Sequence, residues 1–143
     1  TEYPEKFTGD AGLAIGEIHR VNRSACGKVC AAYAPGKRLE ELLGDCDWSA
    51  ATDKSVTSPE LFKMELKQIR EQGYARMEGE TSRNVGAVGA PIFNASKQLA
   101  GAIGVVMPEN ADDWTPETWE KFTSKTRECG ESISFALGLP LDH

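Results

Sequence analysis

The chain has little of what several function classes require. Its longest apolar run, Leu99–Met107, falls far short of the roughly 20 residues a membrane-spanning helix needs. The opening TEYPEKFTGD is polar and acidic, so no secretory signal is read there. Positive charge is not in excess: the formal net charge is −6, which makes the chain by itself a poor partner for nucleic acid. Histidine is scarce, with only His19 and His143, and the four cysteines, Cys26, Cys30, Cys46 and Cys129, include no CxxC pair. The spacings match no zinc template, and no His, Cys, Asp and Glu constellation gathers in the sequence. No metal, no cofactor and no catalytic activity are therefore expected. The cysteines read as reduced, mostly buried thiols of a cytoplasmic protein. Cys26 and Cys30 stand four apart and would share a helix face, as core packing or as a redox or metal pair.

What is present is ordinary globular material. With 143 residues, 40% of them hydrophobic, the chain suffices for one domain with a real core. The stretch VGAVGAPIFNASKQLAGAIGVVM, residues 85–107, reads as a β-hairpin: two short apolar runs joined by the polar tip 94–98. Both faces of the pair are expected to be covered. Gly86, Gly89, Gly101 and Gly104 carry no side chain, so either a neighbour packs close against the strands or space for a ligand is left open.

The remaining elements follow from caps and periodicity. Residues 1–12 look irregular, and Leu13–Ile18 suggests a short strand. A helix is expected over 24–34, capped by Ser24 or Asn22, with Cys26, Val29, Cys30 and Tyr33 as its apolar stripe. A second covers Lys37–Leu43, and Trp48 anchors the connection that follows. Ser58-Pro59-Glu60 combines a cap, a proline at the first helical position and an acidic first turn. That helix should bury Leu61, Met64 or Glu65, and Ile69, with Phe62 and Leu66 beside them, and close at Gly73. A strand over Tyr74–Met77 precedes the hairpin. A last helix from Pro116 to Gly138 should bury Trp119, Phe122, Cys129, Ile133 and Leu137. Strands that follow one another without helices between them favour an antiparallel sheet and an α+β class.

At this level the chain resembles the effector-binding domain of IclR-type bacterial transcriptional regulators. The matching residues are Arg70, Gly73-Tyr74-Ala75, Glu80, Ala90-Pro91-Ile92 and Ala102-Ile103-Gly104-Val105, preceded by Gly16 and Ser24-Ala25-Cys26-Gly27-Lys28 and closed by Ser132-Ile133-Ser134 with Leu137-Gly138. The resemblance implies a GAF- or profilin-like antiparallel sheet flanked by helices. It implies a small-molecule effector site between the sheet and the start of the Ser24 helix, assembly as a homodimer or homotetramer, and contact with operator DNA only through a winged helix-turn-helix that this sequence does not contain. The whole of 1–143 then reads as one effector-binding and oligomerisation domain, without the family's N-terminal strands. No membrane partner is implied.

The polar positions depart from the family pattern. The family's loop acid falls on Met77, its frequent strand cysteine on Ala87, its two second-strand serines on Gly104 and Val106, and the proline-leucine-histidine before the helix on Arg20-Val21-Asn22. The expected site comprises Ser24, Ala25, Cys26, Met77, Glu78, Ala87, Val88, Gly104 and Val106. Backbone amides and the helix dipole at Ser24-Ala25 favour an anion, and Arg20 or Arg23 could add charge. The apolar wall favours an aromatic or medium-chain acid over glyoxylate or pyruvate. Two other readings compete. One is a GAF-like cysteine-dependent redox enzyme, with Cys26 activated at a helix N-terminus. The other is a degenerate domain that only oligomerises, which a side-chain-filled space over Gly86 and Gly104 would favour. Trp114, Trp119 and Phe122, taken as surface residues, suggest an interface.

Overall fold

A computed structural model describes residues 20–107 and 114–140. The expected strand at Leu13–Ile18, His19 and His143 lie outside the described residues. A 3₁₀ turn, Val21–Arg23, leads into helices α1 (Ala25–Ala32), α2 (Gly36–Gly44) and α3 (Pro59–Gln72). Strands β1 (Ala75–Glu78), β2 (Gly86–Phe93) and β3 (Leu99–Met107) follow, and helix α4 (Pro116–Ala136) closes the chain. The three strands form one antiparallel sheet in the order β1-β2-β3. The α+β class and the hairpin stand as expected.

The local signals that place these elements are chemical. Ser24 Oγ accepts from the Gly27 amide at 3.0 Å, and Ser58 Oγ accepts from the Leu61 amide at 3.2 Å; each satisfies a first-turn donor that the helix ladder leaves orphaned. Asn22 is not the cap of α1. Its Nδ2 donates to the Asp47 carbonyl instead. Gly73 ends α3 in the left-handed region at φ 80°, a conformation glycine adopts without a Cβ penalty. Arg70 donates to the carbonyl of Ala32 at 2.9 Å, so the last turn of α1 is closed by a side chain from α3. In the hairpin tip, Asn94 Oδ1 accepts from the amides of Ser96 and Gln98, a local turn that replaces ladder bonds.

Helix α1 packs on one face of the sheet and α4 on the other. Alternation along each strand sorts the side chains. Ala75, Met77, Ala87, Gly89, Gly104 and Val106 face α1, whereas Gly86, Val88, Ala90, Ile103, Val105 and Met107 face α4. Phe62, Leu66 and Ile69 of α3, with Val29, Ala31 and Ala32 of α1, complete the core on the first side. Val88, Met107 and Trp119 form the core on the second.

Four expectations about packing need correction. The buried stripe of α3 is Phe62, Leu66 and Ile69; Leu61 and Met64 are exposed, because the helix turns the 62-66-69 line toward α1 and Trp48. Helix α4 packs on Trp119, as expected, with Phe122 and Ile133 half-buried, but otherwise on small residues. Its buried positions are Trp119, Thr123, Thr126, Gly130 and Ser134, while Cys129 and Leu137 are exposed. Small residues let the helix lie close: a Cβ at Gly130 would stand 2.8 Å from the carbonyl oxygen of Pro91. Two of the three buried hydroxyls are satisfied locally, Thr126 on Phe122 and Ser134 on Gly130, and Ser134 also accepts from the Phe93 amide; Thr123 Oγ1 is buried with no hydrogen-bond partner among the described residues. Trp119 is buried and Trp114 and Phe122 pack beside it, so these rings are core rather than an exposed patch. Finally, β3 is open on the face turned toward α1, where Gly104 and Val106 are exposed, while Val105 and Met107 on the other face pack against α4.

Candidate functional site

Helix α1 positions the predicted residues. Its first turn rests on the hairpin: a Cβ at Gly89 would lie 2.9 Å from the carbonyl carbon and oxygen of Ala25 and 3.0 Å from the Cys26 nitrogen. Only a strand residue without a side chain permits that approach. Gly27 is constrained in the same way from the other side, since a Cβ there would meet the Val21 carbonyl oxygen at 2.7 Å and Ser24 Oγ at 2.8 Å. With Ser24 engaged on Gly27, the amides of Ala25 and Cys26 make no hydrogen bond among the described residues. They are first-turn donors at the positive end of the helix dipole.

Seven of the nine predicted residues gather here. Ser24, Ala25 and Cys26 lie over the face that carries Met77, Ala87, Gly104 and Val106. Met77 and Ala87 are buried, while Gly104 and Val106 form the open side. Two do not belong. Val88 is fully buried against Met107 and Trp119 on the α4 face, and Glu78 has the parity of Arg76, whose guanidinium lies over the Trp119 ring; Glu78 pairs with Lys54 at 3.6 Å. The two-residue period of a strand excludes both from the α1 face. The glycines serve close approach: Trp114 and Trp119 occupy the space over Gly86, and Cys26 Sγ lies 2.6 Å from where a Gly104 Cβ would be; side chains therefore fill the space over both, the outcome named above as favouring a domain that only oligomerises. A shallow groove of about 230 Å³ between α3 and β1, lined by Glu65, Gln68, Ile69, Gln72, Tyr74 and Arg76, touches none of the predicted residues.

The electrostatics also differ from expectation. Burial, and secondarily the neighbouring Cys30, pushes the Cys26 thiol above its ordinary range, the reverse of an activated nucleophile. None of the four cysteines is fully buried, and Cys129 is exposed. Arg23 is spent on the 47–49 segment, donating to the Ser49 carbonyl at 2.7 Å and pairing with Asp47 at 3.4 Å. Arg20 is exposed.

The sequence reading missed the most unusual polar group. Lys28 is completely buried, and its Nζ lies 2.6 Å from a carboxylate oxygen of Glu65 on α3 and 2.6 Å from one of Glu80 in the β1–β2 loop. The other Glu65 oxygen is buried without a hydrogen-bond partner among the described residues. Burial raises the Glu80 pKa; Lys28 opposes that rise and Glu65 adds to it. The available signal was spacing: Ala25, Lys28, Val29 and Ala32 form one i, i+3, i+4, i+7 stripe, which places a lysine on the buried face.

Comparison with known proteins gives a consistent picture. A family model described as the bacterial transcriptional regulator IclR C-terminal domain matches residues 4–135. The HTH-type transcriptional regulator RhmR of Escherichia coli (strain K12) is 37% identical over 116 residues, covering 81% of this chain and 44% of that protein. The IclR protein of Thermotoga maritima superposes with a TM-score of 0.73 at 28% identity, over 89% of this chain and 53% of that one. A double mutant of the PobR inducer-binding domain from Acinetobacter, solved with 3-hydroxybenzoic acid, superposes with a TM-score of 0.76 at 16% identity, over 91% of this chain and 74% of that one. The chain spans about half the length of the curated relatives it matches.

Proposed function

The chain belongs to the IclR family of bacterial transcriptional regulators, as its C-terminal domain, and from that premise we propose that it senses a small organic acid for a regulator that contacts operator DNA through a separate winged helix-turn-helix. The observation that carries the reading is the start of α1. Two amides without partners among the described residues, Ala25 and Cys26, stand at the positive end of a helix laid over a face of small apolar residues. The amides would take the carboxylate. Met77, Ala87, Gly104 and Val106 offer no side-chain hydrogen bond to a hydroxy or keto group, so the body of the acid is apolar, aromatic or medium-chain, rather than glyoxylate or pyruvate. The hydroxybenzoic acid held by the PobR domain supports an aromatic acid as compatible with this fold. The raised Cys26 pKa speaks against the redox-enzyme reading.

A thermal-shift series with benzoate, 3-hydroxybenzoate, octanoate, pyruvate and glyoxylate tests this. A site occupied at about a hundredfold excess over Kd stabilises by about 2.7 kcal/mol, a shift well within detection. Stabilisation by the aromatic or medium-chain acids alone is expected. Binding of only the two smallest acids would overturn the polarity argument, and no stabilisation by any acid would favour a domain that only oligomerises.

Self-association, as a homodimer or homotetramer, is part of the proposal. Its support is the exposed apolar set Leu61, Met64, Phe135 and Leu137. Sedimentation at rising concentration decides it.

A further inference from the structure

A buried ammonium must be paired, and pairing it with two carboxylates leaves one formal negative charge in surplus. Lys28 is so paired, and the partners come from different elements: Glu65 from the body of α3, Glu80 from the loop between β1 and β2. That loop, residues 79–85, is fastened from outside by hydroxyls of the 52–55 turn, Thr52 on the Gly79 carbonyl and Ser55 on the Glu80 carbonyl at 2.6 Å. From inside it is fastened by the Glu80 ion pair, by the buried side chain of Val85 and by one further hydrogen bond. The residue after Glu80, Thr81, donates to the Arg23 carbonyl at 3.1 Å, one residue before the cap of α1, and stands 3.6 Å from the Met77 sulfur. The loop thus borders the unpartnered amides of α1, and Lys28 lies on the same helix one turn beyond them.

We propose that Glu80 is a positioning residue: through its ion pair with the buried Lys28 it seats the 79–85 loop against the first turn of α1, and acid binding at that turn is coupled to the seating. The coupling rests on the effector reading given above; the seating does not. Glu65 provides the internal control. Removal of either carboxylate leaves Lys28 with one partner and removes one negative charge, so a purely structural ion pair would respond alike to both changes. A positioning role separates them, because of the two carboxylates only Glu80 belongs to the loop.

The experiment compares E80A, E65A and the milder E80Q with the parent chain by hydrogen exchange of the Gly79 and Val85 amides, which are hydrogen-bonded across the loop, and by calorimetry with 3-hydroxybenzoate and octanoate. E80A is expected to raise exchange in the loop about tenfold, with E80Q intermediate and E65A close to the parent, as local opening rather than global unfolding. Acid affinity should fall about fivefold or more in E80A and stay unchanged in E65A, the scale of ordinary coupling between sites. Equal loop exchange in E80A and E65A would overturn the proposal. If the loop opens as expected but neither acid binds the parent chain, the seating stands and the effector reading fails; if both acids bind E80A as tightly as the parent, the seating stands and the coupling fails.

Discussion

Alanine at Gly89 should be the most costly single methyl group in this sheet. The added Cβ would sit 2.9 Å from the Ala25 carbonyl carbon and oxygen, whereas nonbonded carbons rest at about 3.5–4.0 Å. The obstacle is backbone, which cannot rotate away, so α1 must lift from the hairpin by about 0.6 Å or more. Overpacking of this kind costs about 1–3 kcal/mol, and G89A is expected near the top of that range. Gly104, directly opposite in the β2–β3 register, makes the comparison. Its Cβ would meet the Cys26 sulfur at 2.6 Å and the Val88 carbonyl at 3.2 Å. A thiol can change rotamer, so G104A should cost less, and C26A should relieve part of that cost in a double-mutant cycle. At Gly101 nothing lies within 4 Å, so G101A should be neutral or slightly stabilising. Urea unfolding followed by circular dichroism, with midpoints compared at constant m-value, gives the order G89A, G104A, G101A. A G89A protein within about 0.5 kcal/mol of the parent would show that α1 does not rest on β2 as described, and the proposed donors at Ala25 and Cys26 would lose their placement with it. The larger change G104L would report mainly a collision with Cys26.

Lys28→Met should destabilise by about 3–5 kcal/mol, because it strands two partly buried carboxylates; denaturant titration near neutral pH measures it, and a loss below 1 kcal/mol would mean that the carboxylates reach water. The raised pKa of Glu80 fixes a sign. The native state holds its proton to higher pH than the unfolded chain, so stability from this group is present below the ordinary glutamate value of 4.5 and falls as pH rises through the native pKa. The stability of the parent relative to E80Q should therefore be greater at pH 4.5 than at neutral pH, and the opposite trend in paired unfolding curves would contradict the burial argument. Ser24→Ala should cost about 1 kcal/mol by freeing the Gly27 amide, while Ser24→Asp should restore it; equal loss in both would deny the cap.

The elements themselves were legible because their signals are local. A serine followed by proline and glutamate starts α3, a glycine stops it, and two apolar runs with a polar tip make a hairpin whatever surrounds them. Strand parity was legible too, and placing Val88 and Glu78 in the site contradicted that rule. In α3 the line Phe62, Leu66 and Ile69 is a regular i, i+4, i+7 apolar stripe that the sequence already carries, and Leu61 and Met64 beside it stay exposed when α1 covers that line. What the sequence could not determine is which face of each element meets which neighbour. Beyond Trp119, helix α4 buries threonine, glycine and serine, because close packing against β2 rewards small volume and the hydroxyls of Thr126 and Ser134 bond within the helix. The hairpin glycines read equally well as cavity or as contact, and the answer depends on atoms from residues 25–26 and 114–119, distant in sequence. Lys28 is the extreme case. A lysine is assigned to solvent by its type, and only a fold that brings Glu65 and Glu80 together around it, from 37 and 52 residues away, makes its burial possible.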